Sequence, residues 1–377
     1  MATPATNMTP SGPSPASAIA TARMPGIDVA RALAVLGMVL VNYKLMMDAA
    51  TRGPDWLTGL SSMIDGRAAT LFVMLAGLGI SLRSRRVREH REHLRFERVS
   101  LLKRAAVLFA AGLLNLHIWE WDILHFYGVY LAFAACLLNV RGAVLWLLAA
   151  GCVAMDVVLE IYVHSDTETH FWSFRGMIFN LFAGGVHPVF PWMAFLLIGM
   201  WIGRQDLSQR RTRRRILVPA CAVIVCCTLF HVVVFNALEP FALDASGDKW
   251  LSPVVLLLLA VCVFSDAAIA AVVLCLCIAG TQHRAERRWV AALVATGQLA
   301  FTLYIAHAIA ILIPLQHGLL QEGSLALSIA YSLAFYIVAV MLCVWWRRRW
   351  PYGPLEGLIR QITGRTTPAP WGGERLP

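Results

Sequence analysis

Long apolar runs recur along the chain and constrain its fold more than any other feature. Each holds roughly 17 to 25 residues, the length that an α-helix needs to cross the hydrocarbon core of a bilayer. The runs lie near residues 27–47, 66–82, 101–118, 123–140, 142–162, 189–203, 216–236, 252–280, 290–313 and 325–346. Since the chain is 59% hydrophobic and only 14% charged, a soluble core could not enclose this much apolar surface. We therefore predict an all-α, polytopic transmembrane bundle of about ten helices.

Arginine and lysine residues are concentrated in alternate connections between the apolar runs. The basic connections lie near 83–104, 204–215, 282–288 and 347–349, and Arg141 lies in a further one. Cytoplasmic loops of membrane proteins carry an excess of these two residues. We therefore predict that the basic connections and both termini face the cytoplasm. This topology also explains the formal net charge of +10, so we predict no nucleic-acid partner.

The ends of the chain differ in composition from its apolar middle. Residues 1–22 are rich in Pro, Ser, Thr and Ala, which predicts a disordered tail. We predict a transmembrane domain over 23–350 and a cytoplasmic C-terminal tail over 351–377. All nine cysteines fall in apolar stretches, where a thiol behaves as a small hydrophobe. The sequence therefore predicts neither a disulfide framework nor a metal site.

Ionisable side chains inside or beside an apolar run are costly unless they face a polar interior, which makes them candidates for function. Asp28 and Arg31 are three residues apart near the start of the first run and share one helical face. This spacing fits a structural ion pair or a substrate-facing pair, and both interpretations stay open. Asp65 and Arg67 open the second run.

Two histidines have polar companions at helical spacing. In WDILHFYGV, Asp122 and His125 are three residues apart among aromatic residues. A carboxylate beside an imidazole fixes its tautomer and raises its basicity, as a general base requires, although a purely structural hydrogen bond is the alternative. His307 lies deep in the ninth run, where we expect it to share a face with Tyr304 and Gln298. For His307, packing and function both stay open.

Several stretches, taken in order, are similar to a known family. They are RMPGIDVARALAVLGMVLVN, DGRAATLFVMLAGLGISL, DILHFYGVYLAF, HPVFPWMAFLLIGMWIGR, GQLAFTLYIAHAIAI and WPYGPLEGLIR. From about Met24 to Arg360 the chain resembles the YeiB-like bacterial membrane family and the catalytic domain of heparan-alpha-glucosaminide N-acetyltransferase. This resemblance implies a location in a bacterial inner membrane. It also implies transfer of an acyl group, commonly acetyl from cytoplasmic acetyl-CoA, to a hydroxyl or amine of an extracytoplasmic glycan or small molecule.

The resemblance also suggests roles for individual residues. Related acyltransferases carry an arginine in the first helix and, after ten intervening residues, a histidine; the corresponding positions here are Arg31 and Asn42. Because an amide cannot act as a base, the base must come from elsewhere in the chain. Our first choice is His125, assisted by Asp122, and our second is His307. For binding of the acyl-CoA co-substrate we select four residues, namely Asp28, Arg31, Asn42 and Arg67.

A second class of function also fits the sequence. Buried Asp, Arg and His side chains can form a proton or substrate path in a transporter or lipid flippase. The P-loop, GxSxG and HExxH motifs do not occur, which disfavours ATP-driven transport and hydrolase chemistry. The expected partners are the lipid bilayer, acyl-CoA and a sugar or small-molecule acceptor, and a homodimer stays open.

Overall fold

Helices make up most of the part of the chain that the structure describes. The structure is a computed structural model, and it describes residues 24–85, 91–117, 119, 121–162, 171–242, 253–320 and 323–364. The predicted N-terminal tail, 1–22, and the last part of the predicted C-terminal tail, 365–377, lie outside these residues. The helices are α1 Pro25–Met46, α2 Asp55–Ser62, α3 Arg67–Ser84, α4 Arg91–Asn115, α5 Leu124–Cys136, α6 Gly142–Tyr162, α7 Phe174–Phe179, α8 Val189–Ile202, α9 Arg210–Ala242, α10 Pro253–Thr281, α11 Arg288–Gln298, α12 Ala300–Gln316, α13 Leu325–Arg349 and α14 Pro354–Ile362.

The structure confirms an all-α transmembrane bundle, and every predicted apolar run corresponds to a helix or a helix pair. Within the described residues, six helices are long and apolar enough to cross a membrane, and the number rises to eight if each of two bent pairs is one span. The expected count of ten requires α4 and α5 as well. The N-terminal half of α4 carries charged residues, and α5 is only 13 residues long. Length and composition alone therefore assign fewer spans than the sequence analysis did.

One predicted span is broken in the structure, and one predicted connection contains helix. The run at 290–313 divides into α11 and α12, whose axes differ by 77°. This break at Leu299 places Gln298 on α11, so the expected face shared by Gln298, Tyr304 and His307 does not form. The second difference lies before Pro188: α7 and a π-helical turn, Asn180–Gly184, form in the predicted connection between the runs at 142–162 and 189–203, and they are bent by 54° from α8.

The α1 helix lies at the centre of the bundle and packs against α3, α10, α11, α12 and α13. Glycines permit the closest approaches between helices. A Cβ at Gly297 would collide with the carbonyl oxygen of Asp28, and a Cβ at Gly77 with that of Leu196. Small residues at such crossings let two helix backbones meet directly, which is how helices associate in a lipid environment. The contact at Gly297 holds α11 against the start of α1, beside Arg31.

Candidate active site

A cavity of about 310 Å³ lies at the end of the bundle where α1 begins. Its polar lining includes the arginines Arg31, Arg83 and Arg104 together with Glu97 and Glu356. Apolar residues from α3, α4, α5 and α12 complete the wall, namely Phe72, Leu75, Ala76, Ile80, Leu101, Leu108, Leu131 and Phe301. A cavity that joins guanidinium groups to a long apolar wall suits a molecule with anionic groups at one end and an uncharged arm.

The basic segments of the chain gather at this same end. Arg83 and Ser84, from the C-terminal end of α3, line the cavity. Gly203, at the start of the basic 204–215 segment, packs against Leu78 and Ser81 of α3. After the basic end of α13 the chain enters α14, whose Glu356 also lines the cavity. The cavity therefore lies on the side of the bundle that the charge pattern predicts to be cytoplasmic.

Arg31 is held in place by neighbours on two helices. Its Nη1 donates to Asp28 Oδ1 at 2.7 Å and to the carbonyl oxygen of Gly297 at 3.1 Å. Asp28 and Arg31 thus form the ion pair that one of the two sequence interpretations proposed, and Arg31 also lines the cavity. The two interpretations are compatible because the pairing positions a guanidinium group that still reaches the cavity.

Arg83 is positioned in a similar way. Its Nε donates to Glu97 Oε2 at 2.7 Å and its Nη2 donates to Ser100 Oγ at 2.9 Å. Both partners belong to α4, so this arginine also fixes the distance between α3 and α4 beside the cavity. Nothing in the isolated sequence distinguished Arg83 from the other basic residues of its connection.

A second cluster surrounds His307, deeper in the bundle. Asn42 Nδ2 lies 2.8 Å from His307 Nε2, and the Tyr43 hydroxyl donates to the carbonyl oxygen of His307 at 3.1 Å. The rings of Tyr304 and Trp119 lie beside the imidazole, with centroids 5.2 and 5.6 Å away. His307 is only 1% exposed. The cluster therefore holds a buried imidazole between α1, α12 and the connection that precedes α5.

The contacts of His307 favour one tautomer. Its Nδ1 is buried and has no hydrogen-bond partner among the described residues, so Asn42 supplies the polar contact of the ring. An amide nitrogen can only donate, so Asn42 Nδ2 places the lone pair of the ring on Nε2 and the ring proton on Nδ1. Nε2 is then the ring nitrogen that is able to accept a proton.

Asp122 connects the surroundings of the two candidate histidines. Its Oδ1 accepts from Asn115 Nδ2 at 2.8 Å and from the Tyr304 hydroxyl at 3.1 Å, while its Oδ2 accepts from the backbone N–H of Leu124 at 2.8 Å. Its Oδ2 also lies 3.6 Å from His125 Nδ1, which is an ion-pair distance and too long for a hydrogen bond. One fully buried carboxylate thus lies between His125 and Tyr304, the neighbour of His307.

His125 faces the bent pair formed by α7 and α8. Its Nε2 lies 3.3 Å from Asn180 Oδ1, in the π-helical turn, and its ring contacts Phe126 and Phe171. The sequence predicted the proximity of Asp122 and His125 from their spacing. Asn180 was missed, since no pattern around it signalled a turn that points into the bundle.

Arg67 lies away from the other selected residues. It donates to Asp266 Oδ1 on α10 at 3.3 Å and to the carbonyl oxygen of Met63 at 2.6 Å. It is close to the paired Lys44 and Asp65, at the end of α1 opposite the cavity. The structure therefore brings Asp28 and Arg31 together at the cavity and Asn42, Asp122, His125 and His307 deeper in the bundle, and it leaves Arg67 outside both groups.

Among the described residues, no group of three or more His, Cys, Asp and Glu side chains comes together in a way that could hold a metal ion. The arrangement instead offers a basic cavity at one end of the bundle and a buried imidazole deeper inside it. Phe301 lines the cavity, and His307 follows it by six residues in α12, about 9 Å along the helix axis.

Comparison with known families identifies two profiles that match the chain. The profile of the heparan-alpha-glucosaminide N-acetyltransferase catalytic domain matches residues 23–235, which is more than half of the chain. The chain belongs to this family. A second profile, described as a protein of unknown function (DUF418), matches residues 202–366. No curated protein matches the chain.

Membership in the heparan-alpha-glucosaminide N-acetyltransferase family agrees with the resemblance that the sequence motifs indicated. The family consists of membrane acyltransferases, whose acyl donor is in general acetyl-CoA. The matched range of this family includes Asp28, Arg31, Asn42, Asp122 and His125. The second profile covers His307 and Glu356. The cavity and the imidazole cluster thus draw residues from both matched segments.

Proposed function

We propose that the protein transfers an acyl group from acyl-CoA to a hydroxyl or amine of an extracytoplasmic glycan or small molecule. The main observation that supports this proposal is the contact between Asn42 and His307. Related acyltransferases carry a histidine at the position of Asn42, and here an imidazole from α12 reaches the same place. This contact moves our choice of base from His125 to His307.

The cavity supplies the donor side of the proposal. Arg31, Arg83 and Arg104 provide guanidinium groups for the phosphates of CoA. The apolar wall formed by Leu75, Ile80 and Phe301 accommodates the uncharged arm. Because the basic segments gather at this end, the cavity opens towards the compartment in which acyl-CoA is made.

In the proposed reaction, the acceptor hydroxyl or amine replaces Asn42 Nδ2 as the donor to His307 Nε2, and Nε2 then takes the proton of the acceptor. The acceptor oxygen or nitrogen then forms a bond to the thioester carbonyl carbon, and the bond from that carbon to sulfur breaks. The proton returns to the departing sulfur, so CoA leaves as its thiol. Before the acceptor binds, Asn42 Nδ2 donates to Nε2 and holds the ring in place, and Asp122 accepts from the Tyr304 hydroxyl beside it.

Purified protein in nanodiscs, incubated with acetyl-CoA and glucosamine as an acceptor probe, tests this proposal through the release of free CoA. We expect His307→Ala to lower the rate by at least about 100-fold, the usual effect of removing a general base. His317→Ala is the matched control, because His317 ends the same helix and is exposed. Its rate should equal that of the wild type.

Two further variants separate the roles. Arg31→Ala should weaken acetyl-CoA binding, whereas His307→Ala should leave binding intact. If His125→Ala abolishes release while His307→Ala does not, the base is His125. If the wild-type protein neither binds acetyl-CoA nor releases CoA, the acyltransferase proposal fails and solute uptake into proteoliposomes becomes the next assay.

A further inference from the structure

The carboxylate of Glu356 binds the beginning of α12 from a distant part of the chain. Its Oε1 accepts from the backbone N–H groups of Phe301 and Thr302 at 2.9 and 3.0 Å. Its Oε2 accepts from the Thr302 hydroxyl at 2.6 Å, and that hydroxyl accepts in turn from the backbone N–H of Leu355 at 3.3 Å. Four hydrogen bonds thus connect α14 to the beginning of α12.

These bonds replace a cap that α12 lacks. Leu299 is the N-cap residue of α12 and makes no side-chain capping bond, so its own side chain leaves the first N–H groups of the helix unsatisfied. Phe301 and Thr302 occupy the second and third helical positions, which are the N–H groups that an N-cap side chain normally binds. A negative charge at this end of a helix is also favoured by the helix dipole.

The position of the cap matters because α12 begins at a sharp break. The chain turns by 77° between α11 and α12, so the end of α11 does not dictate the direction of α12. Tyr304 and His307 follow Thr302 by two and five residues. Any change in where α12 begins is therefore transmitted within about two turns to the imidazole.

We propose that Glu356 is a positioning residue for acyl transfer: by capping α12 across the α11–α12 break, it holds His307 in register with Asn42. This inference rests on the proposed function and adds to it a residue of α14 that touches no reacting atom. It also gives the GPLE segment of the C-terminal region a physical role.

The effect on the donor distinguishes positioning from a direct role in the cavity. Glu356 lines the cavity, and removing a carboxylate from a site for anionic phosphates cannot weaken their binding electrostatically. We therefore expect Glu356→Ala to lower kcat for CoA release by about 10- to 100-fold, the usual scale for a slightly misplaced group. The Kd for acetyl-CoA should stay within about twofold of the wild type or become smaller.

Amide hydrogen exchange gives a measurement that does not depend on turnover. In Glu356→Ala, the peptide that covers 300–307 should exchange faster, whereas peptides from α13 should not change. Glu356→Gln retains an oxygen for the backbone N–H groups and should show an intermediate effect on exchange and on kcat. Gln361→Ala, at an exposed position on the same helix, is the control and should match the wild type in both measurements.

The outcomes separate the two proposals. Faster exchange at 300–307 together with a lower kcat and unchanged donor binding supports the inference. Unchanged exchange, unchanged kcat or a loss that appears only as weaker acetyl-CoA binding would overturn it while leaving the acyltransferase proposal intact. If the wild-type protein is inactive, the proposed function fails by itself. The proposal that Glu356 caps α12 and positions His307 is then tested by amide exchange and by the side-chain nitrogen chemical shifts of His307. If Glu356 sets the position of the ring, Glu356→Ala should change these shifts.

Discussion

At position 42 the central helix carries an amide, and the imidazole that meets it comes from a residue 265 positions later. The sequence could predict the proximity of Asp122 and His125, because residues three apart near one helix end are neighbours. It could not predict the contact between Asn42 and His307. Periodicity indicates which face of a helix is buried, but the partner of that face depends on how the whole bundle packs.

An exchange of the two partners tests their relationship. His307→Asn alone should lower CoA release by at least about 100-fold, since the base is lost. Combining His307→Asn with Asn42→His returns an imidazole to the same place from α1, and we expect part of the lost rate to return. A folded double variant that is no faster than His307→Asn would show that the imidazole must come from α12.

The buried carboxylate of Asp122 makes a prediction about stability. Asp122→Ala removes the acceptor for Asn115, Tyr304 and the N–H of Leu124, so their buried donors lose their partner. We expect the free energy of unfolding, measured by titration with SDS, to fall by about 3 kcal/mol. Asp55→Ala, at an exposed position on α2, is the control and should change it by less than about 0.5 kcal/mol.

Among the secondary-structure elements, the sequence predicted the straight helices well and the broken ones poorly. Long apolar runs indicated α1, α10 and α13 because length and hydropathy are local properties. The break between α11 and α12 has no such signal, since GQLAFTLY contains no proline and Gln298 is a single polar residue within an otherwise apolar run. The carboxylate that caps the start of α12 lies on α14, far along the chain, so the local sequence does not reveal it.

The wall that α3 contributes to the cavity offers a way to fill it. A Cβ at Gly79 has no atom within 4 Å, and the residue lines the cavity. Gly79→Phe should therefore occupy the space and weaken acetyl-CoA binding by at least about tenfold, without a loss of stability. Gly151→Phe on α6 is the matched control, because its Cβ also meets no atom within 4 Å and it does not line the cavity. Equal donor affinity in both variants would contradict a donor site in this cavity.

At the scale of the whole molecule, the charge pattern and the position of the cavity together predict how the bundle is oriented in the membrane. The proposed orientation puts the basic end, including α14, in the cytoplasm and the α2 region outside. Cysteines introduced at Gln209 and Gln361 should react with an impermeant maleimide only in inside-out vesicles, and one at Ser61 only in right-side-out vesicles. The wild-type chain, with its nine native cysteines, supplies the background. Labelling of Gln361→Cys and Ser61→Cys from the same side would contradict the proposed topology.

The α1 helix also fixes the distance between Arg31 and Asn42. Arg31 and Asn42 are eleven residues apart on one unbroken helix, which corresponds to about three turns and about 16 Å, so both side chains point to nearly the same side. In the proposed reaction, the distance between the guanidinium group of Arg31 and the imidazole of His307 is therefore fixed, and it does not adjust to a donor of another length. A single residue inserted between them would rotate one end by about 100° relative to the other. If the proposed reaction is correct, this fixed distance selects donors by length, because only a carrier arm of matching length reaches from Arg31 to His307.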